Sequence, residues 1–256
     1  MENKENALTL PSIFNETLLK HGSSPAYAFA GENPITFEAA AKHIRSVCAL
    51  LQSAGIEKGD RVALLSTNMP HWAIAYFSIT TMGAVVVPVL PDFSAIEVSN
   101  VLEHSGAKTI FISSGLLHRI EGAKPENLET GILIEDFSII FSKKDSVRFD
   151  PDAVPAKEYV VEEEDLASII YTSGTTGRSK GVMLTHKNIC FNAKKGEVIQ
   201  PVDENDRFLS VLPLSHTYEN TLGLILPLLG GSCVYYLRKP PTPPVLLPAL
   251  ELIRPT

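Results

Sequence analysis

Residues 171–186 read YTSGTTGRSKGVMLTH. From Thr172 to Gly181 the chain carries three glycines (Gly174, Gly177 and Gly181), a run of hydroxyl side chains and Lys180. Apolar, β-like runs flank it on both sides, "LASIIY" before and "VML" after. Such a stretch is either a mobile surface turn or a cradle for an anion. Glycines let successive backbone N–H groups converge in a concave nest that binds phosphate without a formal positive charge. Hydroxyls add donors, and a lysine supplies a mobile cation for a terminal phosphate. The residue types fit ATP, but the spacing is not the ordinary strand-to-helix phosphate loop. Gly177 and Lys180 are three apart, Gly181 follows the lysine, and the next segment, "VMLT" at Val182–Thr185, reads as a strand. A loop between two strands is therefore expected.

Working outward, the pattern upstream alternates. Phe37, Ala40, Ala41, Ile44, Val47, Cys48 and Leu51 recur at helical spacing, with Thr36 placed to cap the start and Gly55 after the end. "RVALLS" at Arg61–Ser66 reads as a strand, Asn68–Ala84 has helical length, and "VVVPVL" at Val85–Leu90 is β-branched. Ser94 and Glu97 form a capping-box pattern opening a helix to about Gly106, and "TIFIS" follows as a strand. This order predicts an α/β fold of mostly parallel sheets covered by helices. Residues 1–140 read as a first α/β portion, the charged stretch 141–165 as an exposed connection, and 166–256 as a second α/β portion carrying the glycine loop. Downstream we expect a strand at Leu166–Thr172, a helix from about Lys187, and the strand "RFLSVL". A helix around Thr221–Leu229, the strand "SCVYYL" and a helix from about Val245 complete the second portion.

Composition sets bounds on what this fold does. The chain has 256 residues, 45% hydrophobic and 20% charged, which is ample for a sizeable core. Its net charge of −7 argues against a nucleic-acid surface, which needs clustered Lys and Arg, so any anion site is local. Cys48, Cys190 and Cys233 are far apart and lack C-x-x-C spacing, which points to a reducing cytoplasm rather than a disulfide or zinc framework. Two uncharged runs, Val62–Pro91 and Asn220–Leu237, raise the question of the membrane. Asn68, Pro70, Gly83 and Pro88 divide the first and Pro227, Gly230 and Gly231 the second, so buried α/β elements are expected and no transmembrane helix.

The exact string at Tyr171–His186 closely resembles the phosphate-binding signature of the adenylate-forming, or AMP-binding, superfamily, which contains acyl-CoA synthetases, luciferases and amino-acid adenylation domains. That family usually has proline before the lysine, whereas this chain has Ser179. The likeness covers nearly the whole sequence: "ITFEAAAKHIRSVCALLQSAGIEKGDRVALLSTNMPHW", "GAVVVPVLP" and "DLASIIYTSGTTG" all resemble family segments. "LPLSHTYENTLGLILPLL" at Leu212–Leu229 resembles the next motif, in the form typical of long-chain fatty acyl-CoA ligases.

The resemblance implies an ATP-dependent long-chain fatty acid–CoA ligase, with fatty acid, ATP and coenzyme A as substrates and Mg2+ as cofactor. Carried over by position, Thr172, Ser173, Gly174, Thr175, Thr176, Gly177 and Lys180 would wrap the β- and γ-phosphates, and Thr172 would also contact the metal. His216 falls where the family places a residue beside the acyl carboxylate; the bland alternative is that it caps the following helix. Tyr218 and Glu219 are acyl-site candidates, with packing and capping as their alternatives. Trp72 reads as core, and "VEEED" at Val161–Asp165 as a solvated stretch rather than a metal cluster. The family's later motifs, a Thr-Glu that helps hold magnesium, a Thr-Gly-Asp for ribose and a catalytic lysine, are not found in this sequence. The expectation is an amino-terminal portion of a longer ligase, cytoplasmic, with a lipid substrate that admits peripheral contact with the inner face of the membrane. Two alternatives stay open: a non-catalytic phosphate- or acyl-binding module, and a parent enzyme that adenylates an aryl or amino acid.

Overall fold

The computed structural model describes residues 7–122, 124–172 and 180–256. Helix α1 (Leu10–His21) starts where the Thr9 side chain accepts the Ser12 amide, with Pro11 in the first turn, where no amide donor is required. Two short strands follow, β1 (Pro25–Phe29) and β2 (Ile35–Thr36). Thr36 then caps α2 (Phe37–Ser53) by accepting the Ala39 amide, and the helix buries Phe37, Ala40, Ile44, Val47, Cys48 and Leu51, the positions that share one face. β3 (Arg61–Leu65), α3 (Pro70–Thr81) and β4 (Val85–Val89) come next. The capping box at Ser94 and Glu97 is formed in full and opens α4 (Ala95–Ser105), which Gly106 ends with φ at +64°. β5 (Thr109–Ile112), a 3-10 helix at Ser114–Arg119, β6 (Thr130–Leu133) and β7 (Ile139–Ser142) complete the first portion.

Beyond residue 165 the elements are β8 (Leu166–Thr172), β9 (Lys180–Thr185), α5 (His186–Ile199) and β10 (Arg207–Ser210). A single helical stretch then runs through α6 (Thr217–Glu219), a π-helical segment at Asn220–Ile225 and α7 (Leu226–Gly230), before β11 (Cys233–Tyr236) and α8 (Pro243–Ile253). Two details differ from expectation. The helix expected around Thr221 starts four residues earlier and is π-wound in the middle, and "RFLSVL" leaves its ladder at Ser210.

Among the described residues the strands form two sheets. One has seven strands in the order β7-β6-β5-β3-β4-β8-β9, parallel except for the antiparallel edges β7 and β9. The other has four, β10-β11-β1-β2, parallel except for β2. Both sheets draw strands from either side of residues 141–165, and the architecture is the mostly parallel α/β one expected. Helix α3 packs against β1 of one sheet, β3 and β4 of the other, and α1 and α2. It is therefore buried on all sides, from Pro70 and Trp72 through Thr80, and a helix so placed has no polar face. That placement accounts for the uncharged run at Val62–Pro91. Among the described residues no helix is long and apolar enough to cross a membrane.

Candidate functional site

The strands that flank residues 173–179, β8 and β9, form an antiparallel pair. Thr172 at the end of β8 stands directly opposite Lys180 at the start of β9, and both are exposed. The segments on either side are strands, as the spacing indicated. Ser173, Gly174, Thr175, Thr176 and Gly177 lie outside the described residues. Gly181 serves the ladder: a Cβ there would stand 2.8 Å from Ile169 Cγ2 and 3.3 Å from the Tyr171 ring. Tyr171 in turn fixes the end of β8, since its hydroxyl lies 2.7 Å from Nδ1 of His104 on α4 and the two rings meet edge to face. Because β8 runs parallel to β4, its end at Thr172 lies at the carboxyl edge of the seven-stranded sheet, where open α/β sheets place their ligands.

The second motif leaves the carboxyl edge of the other sheet. His216 is the N-cap of α6, its Nδ1 accepting the Tyr218 amide at 3.3 Å, so it does cap the helix. It is also exposed, and among the described residues that is the ring's one hydrogen bond. Glu219, by contrast, is 8% exposed and has no basic partner among the described residues. Its Oε1 accepts Ser210 Oγ at 2.6 Å. Burial pushes the Glu219 carboxyl above the usual range, while the Ser210 bond and the nearby backbone of Val211 and Leu212 pull it back. Gly223 makes the room, for a Cβ there would sit 2.7 Å from the Glu219 carboxyl carbon. The π-helical winding begins at the next residue, Asn220, whose Oδ1 accepts the Tyr76 hydroxyl at 3.2 Å. Such windings occur often at functional sites.

Beside this helix lies a cleft of about 530 Å³ whose walls include Ile199, Phe208, Tyr218, Glu219, Leu222 and Leu226. Its lining is apolar, the surface that a hydrocarbon chain would wet. Tyr218 and Glu219, both singled out from the motif, stand on this wall, and His216 stands at the head of the same helix.

One residue that the motifs did not flag ties the two sheet edges together. Asn68, in the loop after β3, donates from Nδ2 to Ser210 Oγ at 2.9 Å and to the Leu212 carbonyl at 2.6 Å, and its Oδ1 accepts the Leu214 amide at 2.9 Å. The available signal was a lone amide side chain just past a buried strand. Other candidates resolve as packing. Trp72 is fully buried and stacked on Tyr76, and the acids of "VEEED" hold Leu8, Lys187 and Lys58. No group of three or more His, Cys, Asp or Glu side chains is gathered as a metal site among the described residues.

The family model described as AMP-binding enzyme matches residues 14–256. A long-chain-fatty-acid–CoA ligase of Escherichia coli O6:H1 is 30% identical over 90% of this chain and 46% of its own length. A 3-[(3aS,4S,7aS)-7a-methyl-1,5-dioxo-octahydro-1H-inden-4-yl]propanoyl:CoA ligase of Rhodococcus jostii is 28% identical over 90% of this chain and 48% of its own. The chain thus spans about half the length of these curated relatives. Among solved structures, the anthranilate CoA ligase AuaEII in complex with anthranoyl-AMP superposes with a TM-score of 0.83 at 25% identity, covering 100% of this chain and 49% of that one.

Proposed function

The chain belongs to the AMP-binding enzyme family, and on that premise we propose that it is part of an ATP-dependent ligase joining a long-chain fatty acid to coenzyme A. The observation that carries the long-chain reading is the apolar cleft of about 530 Å³ beside the Leu212–Leu229 motif. The 30% identity with the Escherichia coli ligase supports the same substrate class.

In this reading the acyl chain lies along Leu222, Leu226 and the Tyr218 ring, and its carboxylate is oriented by the exposed His216. A carboxylate oxygen attacks the α-phosphorus of ATP, forming the acyl–O–P bond as the bond to pyrophosphate breaks. The sulfur of coenzyme A then attacks the acyl carbon, the C–S bond forms, AMP leaves and the thiol proton passes to solvent. Such chemistry depends on positioning and on neutralising phosphate charge. Lys180 and the loop from Thr172 through Ser173, Gly174, Thr175, Thr176 and Gly177 supply that neutralisation at the β- and γ-phosphates. The exposed Thr172 hydroxyl, opposite Lys180, is one neutral oxygen ligand, which fits a magnesium ion held chiefly by phosphate oxygens and water. Magnesium, when bound, would neutralise phosphate charge and ease departure of pyrophosphate. A long-chain substrate also fits a cytoplasmic enzyme with peripheral contact at the inner membrane face.

One observation favours a second reading, an aryl-acid ligase: the likeness to the anthranilate CoA ligase extends over 100% of this chain. Fatty-acid-dependent exchange of labelled pyrophosphate into ATP, measured on the full-length protein with a panel of acids, separates the two. Exchange with palmitate and none with anthranilate supports the first. Exchange with aryl acids alone overturns it. Because this chain spans about half of its relatives, the 256-residue polypeptide by itself should form no thioester from ATP, coenzyme A and palmitate.

A further inference from the structure

The segment between β10 and His216 is a loop, and loops that run over a surface are ordinarily its loosest parts. Here it is held from two sides. From the seven-stranded sheet, Asn68 takes the Leu214 amide on its Oδ1 and gives its Nδ2 protons to the Leu212 carbonyl and to Ser210 Oγ. From the following helix, Glu219 takes the Ser210 hydroxyl proton on its Oε1, and the backbone of Val211 and Leu212 favours its charged form. Ser210 Oγ is the shared joint, accepting from Asn68 and donating to Glu219. The Leu212 carbonyl and the Leu214 amide are both held by Asn68. The His216 amide closes the set on the Pro213 carbonyl, so the fixed backbone runs up to the imidazole.

An acid buried without a basic partner is costly unless hydrogen bonds compensate, and a glycine must stand at residue 223 to admit it. An amide side chain reaching 142 to 146 residues along the sequence is equally specific. Neither arrangement is needed to fill the core, because both side chains spend their polar atoms on one short loop. We propose that Asn68 and Glu219 form a two-sided clamp that holds residues 210–214 and so sets the position of His216. Both are positioning residues, acting through His216 and not on substrate, and Glu219 is thereby assigned to the loop instead of to the acyl chain. The inference rests on the reading of His216 given above.

Two measurements test it. In the 15N-labelled chain, Asn68→Ala should speed hydrogen exchange at the Leu214 amide about tenfold while the amides of β4 keep their protection. Asn68→Asp, which keeps the acceptor for Leu214 and loses the donor to Leu212, should leave the Leu214 amide protected. Leu214 exchange unchanged in Asn68→Ala would overturn the clamp. In the full-length enzyme, Asn68→Ala and Glu219→Gln should each lower kcat for palmitate-dependent pyrophosphate exchange about tenfold with the KM for ATP unchanged, and each should cost less than about twofold when added to His216→Ala. A slow His216→Ala that is slowed a further tenfold by Asn68→Ala would overturn the clamp alone. His216→Ala exchanging at the wild-type rate would overturn the role of His216 and, with it, the clamp.

Discussion

Acidification from pH 7 toward pH 4 should weaken this fold through one imidazole. His186, the first residue of α5, is fully buried; its Nδ1 accepts the Leu10 amide at 3.2 Å, and its Nε2 is buried without a partner among the described residues. Burial holds its pKa near 4, against the ordinary 6.5, although the Asp165 charge works the other way. The sign follows from where the proton goes. Between pH 6.5 and about 4 the unfolded chain binds a proton that the folded chain refuses, so stability is full above 6.5 and falls as the pH drops toward the folded value. At about 1.4 kcal/mol per pH unit the loss reaches roughly 3 kcal/mol once pH lies below both values, most of it by about pH 4.5. That is a sizeable share of the roughly 5–15 kcal/mol that keeps a domain folded. Urea unfolding at pH 7 and pH 4.5 should be compared between the wild-type chain and His186→Asn, whose side-chain oxygen can still accept the Leu10 amide. Carboxylates titrate alike in both, so the difference between the two pH-induced losses isolates the imidazole. Equal losses in wild type and variant would refute the reasoning. The effect reaches the site, because His186 holds the start of α1 to α5, whose far end supplies Ile199 to the cleft.

Other outcomes follow from contact distances. Gly223→Ala puts a methyl group 2.7 Å from the Glu219 carboxyl carbon and should cost about 1–3 kcal/mol in urea unfolding, since the acid must give up its bond to β10. Lys180→Ala removes an exposed cation at the mouth of the loop; in the full-length enzyme the KM for ATP should rise about tenfold or more while the unfolding midpoint of this chain stays put.

Much of this was legible in local chemistry. Thr36 before an apolar stripe, Ser94 three residues ahead of Glu97, and Gly106 after the last periodic position each act within one helical turn, so sequence spacing suffices to find them. The charge-free stretch at Val62–Pro91 announced burial correctly, although it could not say that α3 would sit between two sheets. What escaped depends on distant partners. β1 contains proline and is five residues long, and its strand character comes from pairing with β11, Tyr27 opposite Val234. Asn68 is a common loop residue until β10 and Leu214 arrive beside it. Glu219 was placed in the site by its motif, but its burial and its bond to β10 belong to the three-dimensional arrangement. The π-helical turn at Asn220–Ile225 has no compositional mark, and Gly181 looks like one more loop glycine until Ile169 and Tyr171 are seen across the ladder.

The pairing of β1 with β11 also dictates the order in which the polypeptide can finish. Tyr27 emerges from the ribosome long before Val234, its neighbour in the ladder, and Thr17 must wait equally for the Leu228 carbonyl that its hydroxyl binds. The seven-stranded sheet needs nothing beyond Thr185, so it can assemble while the start of the chain stays uncommitted. During synthesis the first strand is therefore an open β edge without its partner, the kind of surface on which nascent chains aggregate and chaperones act. That ladder, between strands so widely separated along the chain, makes the four-stranded sheet one that closes only after β11 has been made.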